Sequence, residues 1–459
     1  MRPSLVLAVA VVVSSCSKET PPPAPAAPAQ PAKPPAPEPK KVTLLITGHE
    51  TGNLVELGPK LLTQWKKEDG WPAALAFSTG DTFSGAAISS HFDGRSTAEV
   101  MHAMQYQASA FGNHDLDLGP EVFRNFRDAS AVTFLAANLK DESDSPLKLA
   151  PYRVFTREGV RVGVVGFTSP KTVTTVVSGR AAGLSLIPLE EAFPAALEAL
   201  AKEKPDVTLA LVDDCFSVLK PLAEGKVDLV VGTRCEGTPE EDSSGATAFF
   251  SVGDGLSKYV AARIDVRPDG SRVVKAQRKE VNAKTGEEAD LVTLRKRWQE
   301  KLDADLGEVI GFTKAGYAQG DARLLTLVAT ALRDETKADA ALINRKGTRE
   351  GLPKGAITQA SIHSVLPFEN AVLTVKVKGE ELLKVQKNPE AFLLAPKLDP
   401  KKDYVLATTD YLYFGGDGLG LEAAAPEPEL NGMVWQTPVI SWLRKQASNE
   451  KAPLEKKLK

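Results

Sequence analysis

The sequence predicts two domains, an α/β domain followed by an α+β domain, and three observations carry that reading. Its 459 residues exceed a typical single domain. From residue 42 to residue 288, short apolar runs alternate with amphipathic stretches, the pattern of strands joined by helices. Beyond residue 307 the pattern changes to one helix, separated strand runs and a glycine-rich loop. Composition agrees with a globular chain, at 42% hydrophobic and 25% charged residues. With 56 Lys and Arg against 59 Asp and Glu there is no positive surplus to hold a polyanion. A nucleic-acid polymer is therefore not an expected partner, whereas a small anionic ligand is compatible. Only 5 His and 3 Cys are present, which limits any metal centre built mainly from imidazole or thiolate.

Residues 1–15 read as an export signal, with Arg2 ahead of an apolar run from Leu5 to Val13 that is too short to span a bilayer. The run ends Val13-Ser14-Ser15-Cys16, which resembles the bacterial lipoprotein box. That resemblance implies lipidation at Cys16 and a membrane-anchored lipoprotein, at the outer membrane or the periplasmic face. Residues 16–41 are mostly Pro, Ala, Lys and Glu, a polyproline-biased spacer with nothing to bury. Twenty such residues reach roughly 60 Å at about 3.1 Å each.

Within the α/β domain, 42–288, strands are expected at 42–46, 74–78, 132–136, 161–167, 207–212, 227–231 and 248–252. Helices are expected at 57–68, 96–105 and 189–204. A charged linker helix, 289–306, leads to the α+β domain, 307–446. There a helix is expected at 324–336, strands at 340–343 and 372–377, and a glycine-rich loop at 415–418. Residues 447–459 read as a Lys-rich frayed tail.

Three loops after expected strands carry chemistry: Ser78-Thr79-Gly80-Asp81, Phe111-Gly112-Asn113-His114-Asp115-Leu116-Asp117, and Asn344-Arg345-Lys346-Gly347-Thr348-Arg349. A strand-end carboxylate can bridge cations and an Asn carbonyl can ligate one, while a neighbouring His donates to a phosphoryl group. Asp117, three residues past His114, could orient the imidazole.

With these motifs, and with Leu366-Pro367-Phe368-Glu369-Asn370 and Gly415-Gly416-Asp417-Gly418, the chain resembles the 5'-nucleotidase family. The resemblance implies a calcineurin-like metallophosphoesterase sandwich followed by a 5'-nucleotidase C-terminal domain that binds substrate. It also implies hydrolysis of nucleotides or related phosphoesters with two divalent cations, Mn, Mg, Zn or Ca. Matched onto the family pattern, Asp81, Asn113 and His114 are kept, with Asp115 in place of the usual Glu. The first motif, Asp-x-His, has become His49-Glu50-Thr51. A later His is Asp213, and Gly-Gly-His-x-His has become Gly232-Thr233-Arg234-Cys235-Glu236.

Three outcomes fit these replacements. His49, Asp81, Asn113, Asp213 and Glu236 could form an oxygen-rich site for a hard cation. Arg234 could supply fixed charge where a cation would sit. The third outcome is a nucleotide- or ligand-binding member without metal and without turnover. By the family's topology Cys215 and Cys235 lie on neighbouring loops beside the site, and both a disulfide and two separate thiols fit. In the C-terminal domain the resemblance implies Arg349 on the substrate phosphate, Asn344 in the same loop, Phe368 and Tyr411 stacking on the base, and Asn370 and Asp417 on the sugar. Burial in the core is the alternative for the two aromatics, and a simple turn for Asp417. His91, His102 and His363 match no ligand pattern. On this reading His114, Asn113 and Asp117 are the catalytic residues, the substrate is a small nucleotide or phosphoester, and the lipid on Cys16 supplies the membrane contact.

Overall fold

The aliphatic run at residues 42–46 lies in strand Lys40–Thr47, at the centre of a six-stranded sheet. The computed structural model describes residues 38–176, 179–235, 239–243, 245–282 and 284–457. The expected signal, Cys16, the spacer to residue 37, and Glu236 lie outside the described residues. Among the described residues, no helix is long and apolar enough to cross a membrane.

The first sheet runs Arg272–Glu280, Lys258–Val266, Lys40–Thr47, Leu75–Ser78, Tyr106–Ala110, Thr133–Leu135. Its last four strands are parallel, and Lys258–Val266 pairs antiparallel with Lys40–Thr47. The second sheet runs Glu241–Asp242, Ala248–Ser251, Leu229–Gly232, Val207–Val212, Val160–Phe167, Tyr152–Arg157, again parallel at its centre. The two sheets face each other across one apolar layer that includes Val42, Leu44, Ile46, Phe77, Val162, Val164, Leu209 and Leu211. Helices such as Leu54–Trp65 and Leu189–Lys202 cover the outer faces. This is the sandwich that the resemblance implied. The parallel register, Thr47 beside Ser78 and Ser78 beside Ser109, delivers the loops that follow three strands to the same sheet end.

The linker helix, Ala289–Leu306, is more than a solvated spacer. Leu291, Trp298, Leu302 and Leu306 form a buried stripe, and Trp298 Nε1 donates to Glu99 at 2.7 Å. The second half of the chain is built on a five-stranded sheet in the order Ala391–Leu394, Ala340–Asn344, Asp403–Thr409, Ala371–Lys378, Glu429–Val434. Helices Ala322–Thr336 and Gln436–Gln446 contribute to the core over this half. Residues 447–457 correct the expectation of a frayed tail. Leu454 is fully buried, Ser448 Oγ accepts from Phe312 N at 2.9 Å, and Glu455 accepts from Thr313 Oγ1 and Ala315 N. One leucine and two polar anchors offset the lysines.

Three histidines fall outside the strand-end loops, and two of them meet where the halves touch. The His91 and His363 rings lie 6.2 Å apart, and His91 Nε2 is 3.0 Å from Asp305. Asp93 and Glu369 border the same small cavity. Burial, helped by the charge of His91, pushes His363 down to about 4. Between its unfolded value, about 6.5, and 4 the unfolded chain therefore binds a proton that the folded chain does not. Stability is expected to fall on acidification from pH 6.5 to 4, by on the order of 2–3 kcal/mol from this residue. Urea titrations at pH 7.5 and 4.5 should show the loss shrinking in His363→Gln. An unchanged loss would assign it elsewhere.

Candidate functional site

The loop after Lys40–Thr47 lies on the loop after Leu75–Ser78, continuing their pairing: His49 N donates to Gly80 O at 2.8 Å and Thr51 N to Asp81 O at 2.9 Å. His49, Thr51 and Asp81 all adopt left-handed φ angles, 48°, 45° and 57°. Few non-glycine residues do so without surrounding contacts to hold them. A third loop, 112–117, locks onto the second. Asp115 is fully buried and its carboxylate accepts from Gly112 N (2.9 Å), Asp81 N (3.2 Å), Thr82 N (2.8 Å) and Thr82 Oγ1 (2.5 Å). Burial and the charge of Asp81 push this carboxyl up to about 7, against the four donors. Gly112 is required by proximity, because a Cβ there would sit 2.1 Å from Asp81 Oδ1.

These loops bring His49, Asp81 and His114 together, with one donor atom from each within 4.8 Å of the others. Asp81 Oδ1 accepts from His114 N at 2.8 Å, and Asp81 Oδ2 is 3.5 Å from His49 Nε2. Each ring turns its Nδ1 to a carboxylate: His49 to Asp254 at 2.9 Å, His114 to Asp117 at 2.7 Å. Ser84 Oγ donates to Asp117 at 2.8 Å and fixes that carboxylate in turn. Burial would lower the His114 pKa, but Asp117 and Asp81 outweigh it and raise it. Two imidazoles, each with Nδ1 against a carboxylate, and the carboxylate of Asp81 form a donor set that fits one divalent cation.

A second cation finds fewer donors. Asp213 is buried beside Asp81 but outside the donor cluster, and burial together with Asp81, Asp115 and Asp214 pushes its carboxyl well up. Asn113 borders the cavity from the loop that carries His114. Arg234 Nη1 bonds Asp254 Oδ2 at 2.8 Å, which extends the His49–Asp254 contact into a chain of three polar side chains. Burial raises Asp254, yet His49 and Arg234 hold it below the usual carboxylate range. Cys215 and Cys235 form a disulfide, tying the loop of Arg234 to the loop that follows Asp213.

The second half supplies the rest of a cavity of about 200 Å³. Asn344, Arg349, Phe368, Asn370, Tyr411 and Asp417 all line it, together with Asn113, His114 and Asp117. Arg349 Nη2 lies 3.4 Å from His114 Nε2, so the two halves meet beside the cluster of His49, Asp81 and His114. The Phe368 ring stacks on His114 with centroids 5.5 Å apart, and the Arg349 guanidinium lies over Phe368 at 5.6 Å. Phe368 is held by its backbone, its carbonyl accepting from Trp435 Nε1 and Gln436 Nε2. Asp417, left-handed at φ 53°, accepts from Asn344 Nδ2 at 2.6 Å and Tyr411 OH at 3.1 Å. Phe368 and Tyr411 are half-buried cavity walls, not core residues.

Sequence reasoning passed over Asp254, Trp435, Thr175 and Arg180. Asp254 had a signal, Gly253-Asp254-Gly255 just past the strand Ala248–Ser251. The other three belong to no motif.

Comparison with known proteins agrees with this architecture. Residues 305–393 match the family model for the 5'-nucleotidase C-terminal domain. A 5'-nucleotidase of Vibrio cholerae is 25% identical over 369 residues, 68% of this chain and 66% of the relative. The chain thus spans just under two thirds of that relative's length. Protein UshA of Yersinia enterocolitica is 24% identical over 429 residues, 75% of this chain and 78% of the relative. The crystal structure of a 5'-nucleotidase precursor from Thermus thermophilus superposes with a TM-score of 0.76 at 20% identity, covering 89% of this chain and 97% of that one. Two facing sheets with loops gathered at one strand end, joined to a half that matches the nucleotidase C-terminal domain, give this chain the fold of that solved structure. Residues 305–393 thus belong to the 5'-nucleotidase C-terminal domain family, and over most of its length the chain is similar to 5'-nucleotidases.

Proposed function

We propose that the chain is an exported, lipid-anchored phosphoesterase that hydrolyses nucleotides or related small phosphoesters with an altered, single-cation site. The observation that carries the catalytic part is the meeting of His114 Nε2 with Arg349 at 3.4 Å, beside the His49–Asp81–His114 donor set. A phosphoryl group placed there touches residues from both halves of the chain. The anchor rests on the sequence around Cys16.

His49, Asp81 and His114 would hold the cation, which when bound polarises phosphoryl oxygens and lowers the pKa of water. The chain's own residues do the remainder. Arg349 offers its planar fork to phosphoryl oxygens. Asp117, fixed by Ser84, occupies Nδ1 and so leaves Nε2 as the His114 nitrogen available to the cation site beside Arg349. Phe368 and Tyr411 receive the base, each face contributing roughly 1–3 kcal/mol by analogy with stacking elsewhere. Asp417 and Asn370, which line the same cavity, would meet the sugar. Asp417 is already engaged by Asn344 and Tyr411, so a sugar hydroxyl must share or displace one of those bonds.

A second reading, a nucleotide-binding member without turnover, is favoured by one observation. Arg234 already pairs with Asp254, which also contacts His49, so the Asp254 carboxylate is met without a cation. Metal analysis of the dialysed protein, with a phosphate-release assay on nucleoside monophosphates in Mn²⁺, Mg²⁺ or Zn²⁺, separates the two. The enzyme reading expects close to one divalent ion per chain and release of phosphate. Absence of both, with a nucleotide-induced rise in melting temperature, would establish the binding reading instead.

A further inference from the structure

One wall of the cavity comes from a segment that no motif marks. Between the strands Val160–Phe167 and Leu184–Leu186, Thr175 and Arg180 line the same space as Phe368, Tyr411 and Asp417. The short helix Thr172–Thr175 packs against the turn Gly416–Gly418 that carries Asp417. Thr175 already spends its hydroxyl on the Lys171 carbonyl at 3.1 Å. Arg180 does not. It is half-buried, yet among the described residues its guanidinium has no hydrogen bond and no ion pair. Its charge is felt by Asp410, the residue before Tyr411, whose carboxyl is raised by burial and drawn back by its own backbone bonds and Arg180. That places Arg180 near the stacking end of the cavity.

The other cations bordering this cavity are engaged. Lys346 pairs with Glu390 at 3.1 Å, and Arg349 reaches His114 and the Phe368 face. A half-exposed guanidinium with five N–H donors and no protein acceptor holds water that a ligand's acceptors can replace. Stacking on Phe368 and Tyr411 cannot choose among bases, since every base has a π-face. Choice requires a contact at the base edge. Guanine presents two adjacent acceptors, O6 and N7, to the arginine fork, whereas adenine sets an amino donor beside N7.

We propose that Arg180 is a specificity residue that reads the base edge and makes the site prefer guanine nucleotides over adenine nucleotides. The inference rests on the nucleotide reading above. Calorimetric titration of the full chain with guanosine and adenosine 5'-monophosphates tests it, using wild type, Arg180→Ala and Arg180→Lys. Wild type is expected to bind the guanine nucleotide about tenfold tighter, the lower end of one bidentate base contact. Arg180→Ala should abolish that preference while changing adenine affinity less than about threefold, and Arg180→Lys, lacking the fork, should not restore it. Equal weakening of both nucleotides by Arg180→Ala would make the residue a general anion contact and overturn the proposal. No wild-type preference would overturn it as well, and either result leaves the nucleotide site standing. Binding of neither nucleotide by wild type would remove the nucleotide reading itself, and this inference with it.

Discussion

Replacing His114 with asparagine is expected to lower phosphate release from a nucleoside monophosphate by at least two orders of magnitude, with nucleotide affinity changed less than about threefold. The imidazole sits where everything converges: Asp81 accepts from its backbone, Asp117 orients its Nδ1, and its Nε2 faces Arg349. Asparagine is small and polar enough to occupy the site without leaving a cavity, but it has no nitrogen at the Nε2 position. Phe368 stacks on His114 and Arg349 reaches its Nε2, but both keep their own backbone anchors, so binding should fall far less than turnover. Steady-state kinetics paired with calorimetry reads both. Turnover within tenfold of wild type would remove His114 from the chemistry.

Replacing Asp115 with alanine is expected to destabilise the fold by roughly 3–5 kcal/mol, although this carboxylate faces no substrate. Four donors from two loops lose their shared acceptor, and all of them are buried. Asparagine, which keeps one oxygen, should lose less. Urea unfolding of both variants at pH 7.5 measures the difference, and a loss below about 1 kcal/mol for alanine would contradict the role. The two substitutions lie one residue apart and should fail in different ways, one in turnover and the other in folding.

Local patterns recovered what local forces decide. Aliphatic runs such as residues 42–46 and 207–212 are strands because both faces of a central parallel strand are buried. The strand Tyr106–Ala110 was hidden because its sequence, Tyr-Gln-Ala-Ser-Ala, has neither an apolar run nor clean alternation; its neighbours in the sheet impose the conformation. The hairpin Lys258–Val266 and Arg272–Glu280 was missed as well, its second strand being largely polar and partly exposed at the sheet edge. In the site, His49, Asp81 and the 112–117 loop were legible because each follows a strand in a recognisable order. Asp213 read as a ligand from its place in that order, but its burial behind Asp81 depends on how three loops stack, which no single stretch of sequence encodes. Arg180 reaches the cavity only because the 172–184 segment meets the second half of the chain, a long-range contact with no local trace.

The three left-handed residues, His49, Thr51 and Asp81, lie on two adjoining loops, and two of them are cation donors. Their conformation is imposed by neighbouring hydrogen bonds, against their own preference. Loosening one loop would therefore let both donors relax towards ordinary backbone angles at once. The site should then lose its ability to capture a cation in a single step, so that metal occupancy reports on the tension of the framework as much as on the chemistry of its ligands.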